Sequence, residues 1–122
     1  MYNTEDRIAK AVINGKEYEL LMTVRAGIKL KNVLVNFNNS HKNKSNQSIE
    51  KDFNTALMIF NVLHNEALRF RAYEEHKSYK PTTVEDFEFI LDVKGMNSIK
   101  NAISSAISKS KIVDVPQSTG KN

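Results

Sequence analysis

The sequence has no cysteine and no tryptophan, and it contains only two prolines and four scattered glycines. Without cysteine the chain can form no disulfide framework, no thiolate metal site and no cysteine nucleophile. The glycines do not build a phosphate-binding loop, and no serine lies in the turn context of a hydrolase nucleophile. We therefore expect a protein that is not an enzyme, with no catalytic residue, no cofactor and no metal.

Long hydrophobic runs are absent as well. No stretch of about 18 consecutive apolar residues occurs, and residues 1–7 are polar where a signal peptide needs an apolar segment. The 122 residues are 40% hydrophobic and 26% charged, which is typical of one globular domain. We expect a single domain over residues 1–111, located in the cytoplasm and not in a membrane. The net charge of +4 is too small to predict nucleic-acid binding.

A β-hairpin is predicted at the N-terminus. Asn14 and Gly15 lie between two alternating runs, and this pair tolerates the positive φ angles of a type I′ turn. The predicted strands cover residues 7–13 and 16–24, with Lys10 opposite Glu19. One face of this hairpin is apolar, formed by Ala9, Ala11, Ile13, Tyr18, Leu20 and Met22. A lone hairpin is marginally stable in water, so this face needs a cover.

Helical periodicity dominates the rest of the chain. It predicts helices over residues 26–37, 49–77, 83–94 and 96–109, a polar loop over 38–48 and a flexible tail over 112–122. Thr82 and Glu85 have the spacing of a capping box, and Gly95 is placed as a helix-terminating glycine. The predicted fold class is α+β, mainly α, with the N-terminal hairpin packed on a bundle of about four helices.

The residues that most often carry chemistry have structural interpretations here. The spacing of His41, His64 and His76 does not suit a metal site, and we expect His64 to be a hydrogen-bonded histidine at the edge of the core. The acidic residues of the 83–94 segment indicate a capped, solvated helix face rather than paired catalytic carboxylates. They are Glu85, Asp86, Glu88 and Asp92.

Basic and aromatic residues alternate between Arg69 and Lys80, a mixture that surfaces for single-stranded nucleic acid also use. Glu74 and Glu75 interrupt the pattern, and the aromatic residues fit the edge of a core with arginine stems lying along it. We interpret the segment as structural. It nevertheless keeps nucleic-acid binding open as an alternative function.

Two of the predicted helices carry more apolar surface than one neighbour requires. A partner that packs as a helix in a groove would use such surface. The candidate partner-binding residues are Met58, Ile59, Val62, Phe70, Met96, Ile99, Ile103 and Ile107.

The order of local motifs adds a resemblance. An "INGKEYEL" hairpin, "TVRAGIKLKN" opening a helix, a long central helix, "KPTTVEDFEFILD", a last helix and a "SKSK" segment follow one another. This order resembles tail assembly chaperones of long-tailed, siphovirus-type bacteriophages that infect low-GC Gram-positive bacteria. The resemblance implies a non-enzymatic protein of the infected host's cytoplasm that binds and solubilises the tape measure protein and is absent from the mature virion.

The same resemblance implies further partners. Family members help to recruit the tail tube protein, often through a longer product of ribosomal frameshifting, and homo-oligomers are among the expected assemblies. Codons GGA AAA AAC for Gly120–Asn122 would contain the slippery heptamer A AAA AAC. Two alternatives stay open at this point: a small nucleic-acid-binding or regulatory phage protein, and a structural virion subunit.

Overall fold

The computed structural model describes residues 4–35 and 49–119. A short 3-10 helix precedes the hairpin, residues 31–35 are helical, and the remaining elements follow in chain order. They are β1 (Ile8–Ile13), β2 (Lys16–Leu21), α1 (Val24–Lys29), α2 (Ile49–Glu75), α3 (Val84–Glu88) and α4 (Val93–Thr119). The two strands form an antiparallel hairpin that packs against α2 and α4. The predicted fold class, α+β and mainly α with an N-terminal hairpin on helices, is confirmed.

The hairpin has the predicted turn and register. Asn14 and Gly15 have φ angles of 53° and 81°, both positive as a type I′ turn requires. Lys10 lies opposite Glu19, and the predicted apolar face contacts the main core. Five of its side chains are buried and Tyr18 is half-buried. Local turn chemistry therefore fixes which side chains of the hairpin enter the core.

Helix α4 also covers the outer edge of β1. The Ser98 Oγ accepts a hydrogen bond of 2.8 Å from the Val12 N–H. Eleven residues further along α4, the Lys109 Nζ donates one of 2.8 Å to the Ile8 carbonyl. Two backbone groups that β1 presents away from β2 are thus bonded by side chains of the helix.

The junction between the hairpin and the first helix differs from the prediction. The strand ends at Leu21 rather than at residue 24, and α1 begins at Val24 rather than at residue 26. The cause is Thr23, whose Oγ1 accepts a hydrogen bond of 3.0 Å from the Ala26 N–H and caps the helix. Residues 36–37 of the predicted helix and the predicted loop 38–48 lie outside the described residues.

The long helix α2 begins where predicted and ends two residues earlier. His76 follows it with a φ angle of 57°, in the left-handed region. The Lys77 N–H donates to the Ala72 carbonyl at 2.9 Å, and the His76 N–H donates to the Tyr73 carbonyl at 3.3 Å. This is the Schellman pattern, which usually places glycine at the position that His76 occupies.

The predicted capping box of Thr82 and Glu85 is wrong by one residue. The box uses Thr83 and Asp86, whose Oδ2 accepts a hydrogen bond of 2.8 Å from the Thr83 N–H. Thr82 is bound by α2 instead. Its N–H donates to the Asn65 Oδ1 at 2.7 Å, and its carbonyl accepts from the Asn65 Nδ2 at 3.0 Å. One amide side chain therefore satisfies both backbone groups of an extended residue.

The predicted helix 83–94, with Gly95 as its terminus, is also wrong. Helix α3 ends at Glu88, and α4 begins at Val93 rather than at residue 96. Asp92 explains the difference, because its Oδ1 accepts a hydrogen bond of 2.8 Å from the Gly95 N–H, as an N-cap does. Gly95 thus lies in the first turn of α4 rather than after the end of α3.

The C-terminal helix continues beyond its predicted end at residue 109. Helix α4 runs to Thr119, so residues 112–119 of the predicted tail have helical backbone. Between Gly95 and Pro116 the sequence has neither glycine nor proline, and nothing there interrupts helical hydrogen bonding. Residues 120–122 lie outside the described residues.

Replacing His76 by glycine should stabilise the protein. Glycine adopts positive φ without the steric cost of a Cβ, so we expect His76→Gly to raise the free energy of unfolding by about 1 kcal/mol. Urea denaturation of both proteins measures the change. The control is His76→Ala, which keeps the Cβ and should give no gain. An equal gain in both variants would show that the imidazole, rather than the backbone angle, is responsible.

Candidate protein-binding groove

Four rings from three elements meet at the centre of the molecule. Tyr18 comes from β2, Phe60 and His64 from α2, and Phe87 from α3. The Phe60 and His64 rings are stacked with centroids 5.7 Å apart and an interplanar angle of 2°. Phe87 meets Phe60 edge-on at 4.8 Å and Tyr18 at 5.4 Å. Such pairs add to the free energy of burial, so the cluster holds α3 against α2 and the hairpin.

The inward position of Phe87 forces Phe89 outward. Successive residues of a helix are separated by about 100° around its axis. Side chains two residues apart therefore lie on nearly opposite sides of the helix. Phe87 is 3% exposed and Phe89 is 97% exposed. Val93, the first residue of α4, is 79% exposed. The segment that joins α3 to α4 therefore presents two large apolar side chains to solvent.

An open groove of about 380 Å³ lies between the first turns of α2 and α4, and Val93 is one of its lining residues. Its apolar lining consists of Phe53, Leu91, Val93 and Met96. The polar lining residues are Asp52, Asp92, Asn97 and Lys100. Lys100 and Asp52 form an ion pair that links the two helices. Apolar surface and an aromatic side chain without a cover are typical of a site for another protein. We call this feature the α2/α4 groove.

Three of the eight residues predicted to contact a partner are not on the surface. Ile59, Ile99 and Ile103 are each 0% exposed and belong to the main core. The long helices meet several neighbours, so their broad apolar faces are used inside the molecule. In this conformation these three side chains are unavailable to another chain.

The other five predicted residues divide between core edge and surface. Val62 and Ile107 are half-buried against the main core, and Phe70 packs on a smaller cluster at the open end of the hairpin. Met58 is 45% exposed and is not among the groove-lining residues. Met96 alone of the eight lines the α2/α4 groove.

Sequence reasoning missed Phe89 and Val93. The predicted helix 83–94 has Val84, Phe87 and Ile90 on its apolar side, which leaves Phe89 among the acidic residues. A large aromatic residue on the charged side of a helix was the available indication. The acidic neighbours of Phe89 favour the interpretation of that side as solvated surface.

Ion pairs occupy the arginines of the basic and aromatic segment. The Arg71 guanidinium donates to both oxygens of Glu19, at 2.8 and 2.7 Å, and to both oxygens of Glu5, at 2.7 and 2.8 Å. These hydrogen bonds raise the pKa of Arg71 and lower the pKa of both carboxyl groups. Paired in this way, Arg71 ties β2 to α2 and has little positive charge left for a phosphate.

Glu66 lies 3.9 Å from the guanidinium of Arg69, the other arginine of that segment, and also pairs with Arg25 of α1. Its side chain is 8% exposed and accepts hydrogen bonds from Arg25 and from the Thr23 hydroxyl. Burial acts to raise the pKa of Glu66, but the hydrogen bonds from Arg25 and Thr23 outweigh it, and the pKa is lowered. Glu66 therefore binds the N-terminal end of α1 to α2 as a carboxylate.

His64 is hydrogen-bonded, as predicted, but it is buried in the ring cluster rather than placed at the edge of the core. Its Nδ1 lies 2.8 Å from the Glu19 carbonyl, which can only accept, so this nitrogen carries the proton. Burial lowers the pKa of His64, and the hydrogen bond to Glu19 opposes the shift only in part. The neutral ring connects α2 to the edge of β2.

Among residues 4–35 and 49–119, no three His, Asp or Glu side chains are grouped to hold a metal ion. Within the same residues, no helix has the length and hydropathy needed to cross a lipid bilayer. Comparisons with protein-family models, with curated proteins and with solved structures found no match. The α2/α4 groove is therefore the feature from which we infer a function.

The stability of the protein should fall as the pH falls below about 6.5, the ordinary pKa of histidine. The unfolded chain protonates His64 there while the folded state keeps it neutral, so acid favours unfolding until the folded state also takes up the proton. We expect a slope of up to about 1.4 kcal/mol per pH unit. Urea denaturation between pH 7.5 and pH 5 measures it.

The matched variants for this prediction are His64→Phe and His76→Phe. His64→Phe keeps a stacked ring and should reduce the slope, whereas the same change at the exposed His76 should leave the slope unchanged. An unchanged slope in His64→Phe would assign the pH dependence to other groups.

Proposed function

We propose that this protein binds other protein chains through the α2/α4 groove and holds them in a soluble state. The single observation that carries the proposal is the apolar α2/α4 groove, which the exposed Val93 lines and which the segment carrying the fully exposed Phe89 enters at Leu91. Exposed aromatic and apolar side chains favour aggregation of the chain that carries them unless a partner covers them. A partner could contact these side chains and also insert its own side chains into the groove.

The favoured occupant is the apolar face of a helix. The described lining residues belong to the first turns of α2 and α4 and to the residues just before α4, and none of them belongs to a strand. An extended segment would find no strand edge to join among them, whereas a helix satisfies its own backbone and inserts side chains at i, i+3 and i+4. The groove therefore suits an amphipathic helix.

The client that we propose is a phage tape measure protein, which makes this chain a tail assembly chaperone. The resemblance in the order of motifs supports that assignment. A long helical client exposes apolar stripes that associate wrongly while its partners are absent. Temporary cover by a small protein would keep such a client soluble until tail tube subunits replace it.

Co-expression with a tape measure protein from the same phage genome tests the function. We expect the client to move from the insoluble to the soluble fraction and to co-purify with this chain. A tape measure protein that is intact but stays insoluble and unbound would refute the chaperone proposal. Retention of this chain on DNA or RNA with steep salt dependence would favour nucleic-acid binding, and its presence in purified particles a virion subunit.

The substitution Val93→Ser tests the site, and Val24→Ser is its control. Both valines begin a helix directly after a capping residue, and they are 79% and 81% exposed. Each change should alter the free energy of unfolding by less than about 0.5 kcal/mol. The double variant Phe89→Ser/Val93→Ser should reduce the co-purified client about tenfold. The single variant Val24→Ser should leave the amount of co-purified client unchanged. Equal losses from both valine variants would place the binding site elsewhere.

A further inference from the structure

We propose that the α2/α4 groove selects helices of another protein whose apolar anchors are flanked by lysine or arginine. This inference rests on the proposed function and adds the charge of the partner. Its basis is the electrostatic character of the segment that carries Phe89 and Val93, compared with the rest of the chain.

The segment that carries Phe89 and Val93 and enters the groove at Leu91, called the acidic rim here, is acidic in a basic protein. The whole chain has a net charge of +4. Residues 84–95 nevertheless hold four acidic side chains and one lysine, all of them exposed. The acidic residues are Glu85, Asp86, Glu88 and Asp92. A local excess of negative charge around apolar contacts attracts a positively charged partner and repels an acidic one.

The positive charge in the groove itself is already compensated. Among the described lining residues, Lys100 is the only basic one, and its ammonium group is paired with Asp52. Within the described part of the chain, neither Glu85 nor Glu88 forms an ion pair, so their charges are available to a partner. Two free carboxylates thus stand next to the exposed Phe89.

Two rim carboxylates are held in place by the backbone. Asp86 accepts the Thr83 N–H at 2.8 Å, and Asp92 accepts the Gly95 N–H at 2.8 Å. Phe87, two residues before Phe89, is anchored in the ring cluster. These two carboxylates are therefore preorganised, so a basic helix would lose little free energy in ordering them.

Two designed peptides test the charge preference with the full chain. Both are amphipathic helices with leucine at i, i+3, i+4 and i+7, and their flanking residues are lysine in one and glutamate in the other. Fluorescence anisotropy of the labelled peptides gives Kd. We expect the lysine peptide to bind roughly tenfold more tightly at 50 mM salt, with a difference that shrinks at 300 mM because exposed charges are screened.

The double variant E85Q/E88Q removes the two unpaired charges and keeps the side-chain shape. It should weaken binding of the lysine peptide about fivefold and leave the glutamate peptide unchanged or slightly tighter. The control is E17Q/E75Q, which removes two exposed glutamates far along the chain from the groove. It changes the net charge equally and should leave both affinities unchanged, since surface ion pairs contribute little.

The outcomes separate this inference from the proposed function. If Phe89→Ser with Val93→Ser abolishes binding of both peptides while E85Q/E88Q has no effect, the charge preference is wrong and the groove remains the site. If the apolar variants bind both peptides normally, the groove itself is not the site. If light scattering shows oligomers that Phe89→Ser dissociates, a second copy occupies the groove and the inference is overturned.

Discussion

The packing of four rings, Tyr18, Phe60, His64 and Phe87, is the interaction on which the rest of the arrangement depends. It joins β2, α2 and α3, and α3 has only five residues and little stability of its own. Once Phe87 is fixed in this cluster, the helical rotation of α3 directs Phe89 to solvent. The same anchor sets the point from which the chain enters α4, so the position of the α2/α4 groove follows from the ring cluster.

Helix α2 combines two roles that its sequence does not separate. Its apolar side meets the hairpin, α3 and α4, which explains why it is apolar over such a wide arc. Its polar side chains form hydrogen bonds with backbone groups of neighbouring segments that have no backbone partner of their own. His64 donates to the Glu19 carbonyl of β2, and Asn65 bonds both backbone groups of Thr82. Each bond avoids an unpaired backbone group near the core, and such a group would cost roughly 1–3 kcal/mol.

Local chemistry predicted the parts of the fold that depend on neighbours in sequence. Asn14-Gly15 gave the hairpin and its register, and the spacing of apolar residues gave α2 to within two residues. The boundary between α3 and α4 was missed because two local signals compete there, and the Asp92 cap prevails over a glycine terminus. The burial of three predicted partner-binding residues was missed for another reason. Periodicity shows that Ile59, Ile99 and Ile103 are apolar, but long-range packing decides whether a second helix or a partner covers them.

The contact between α4 and β1 limits the binding of extended segments of other proteins to the hairpin. A two-stranded hairpin has two open edges, and a free edge is a template to which an extended segment of another protein can add as a third strand. Ser98 and Lys109 take up the Val12 N–H and the Ile8 carbonyl, which such a segment would otherwise use. A polypeptide approaching this side encounters a helix and its side chains, so fewer backbone groups are open to amyloid-like growth there.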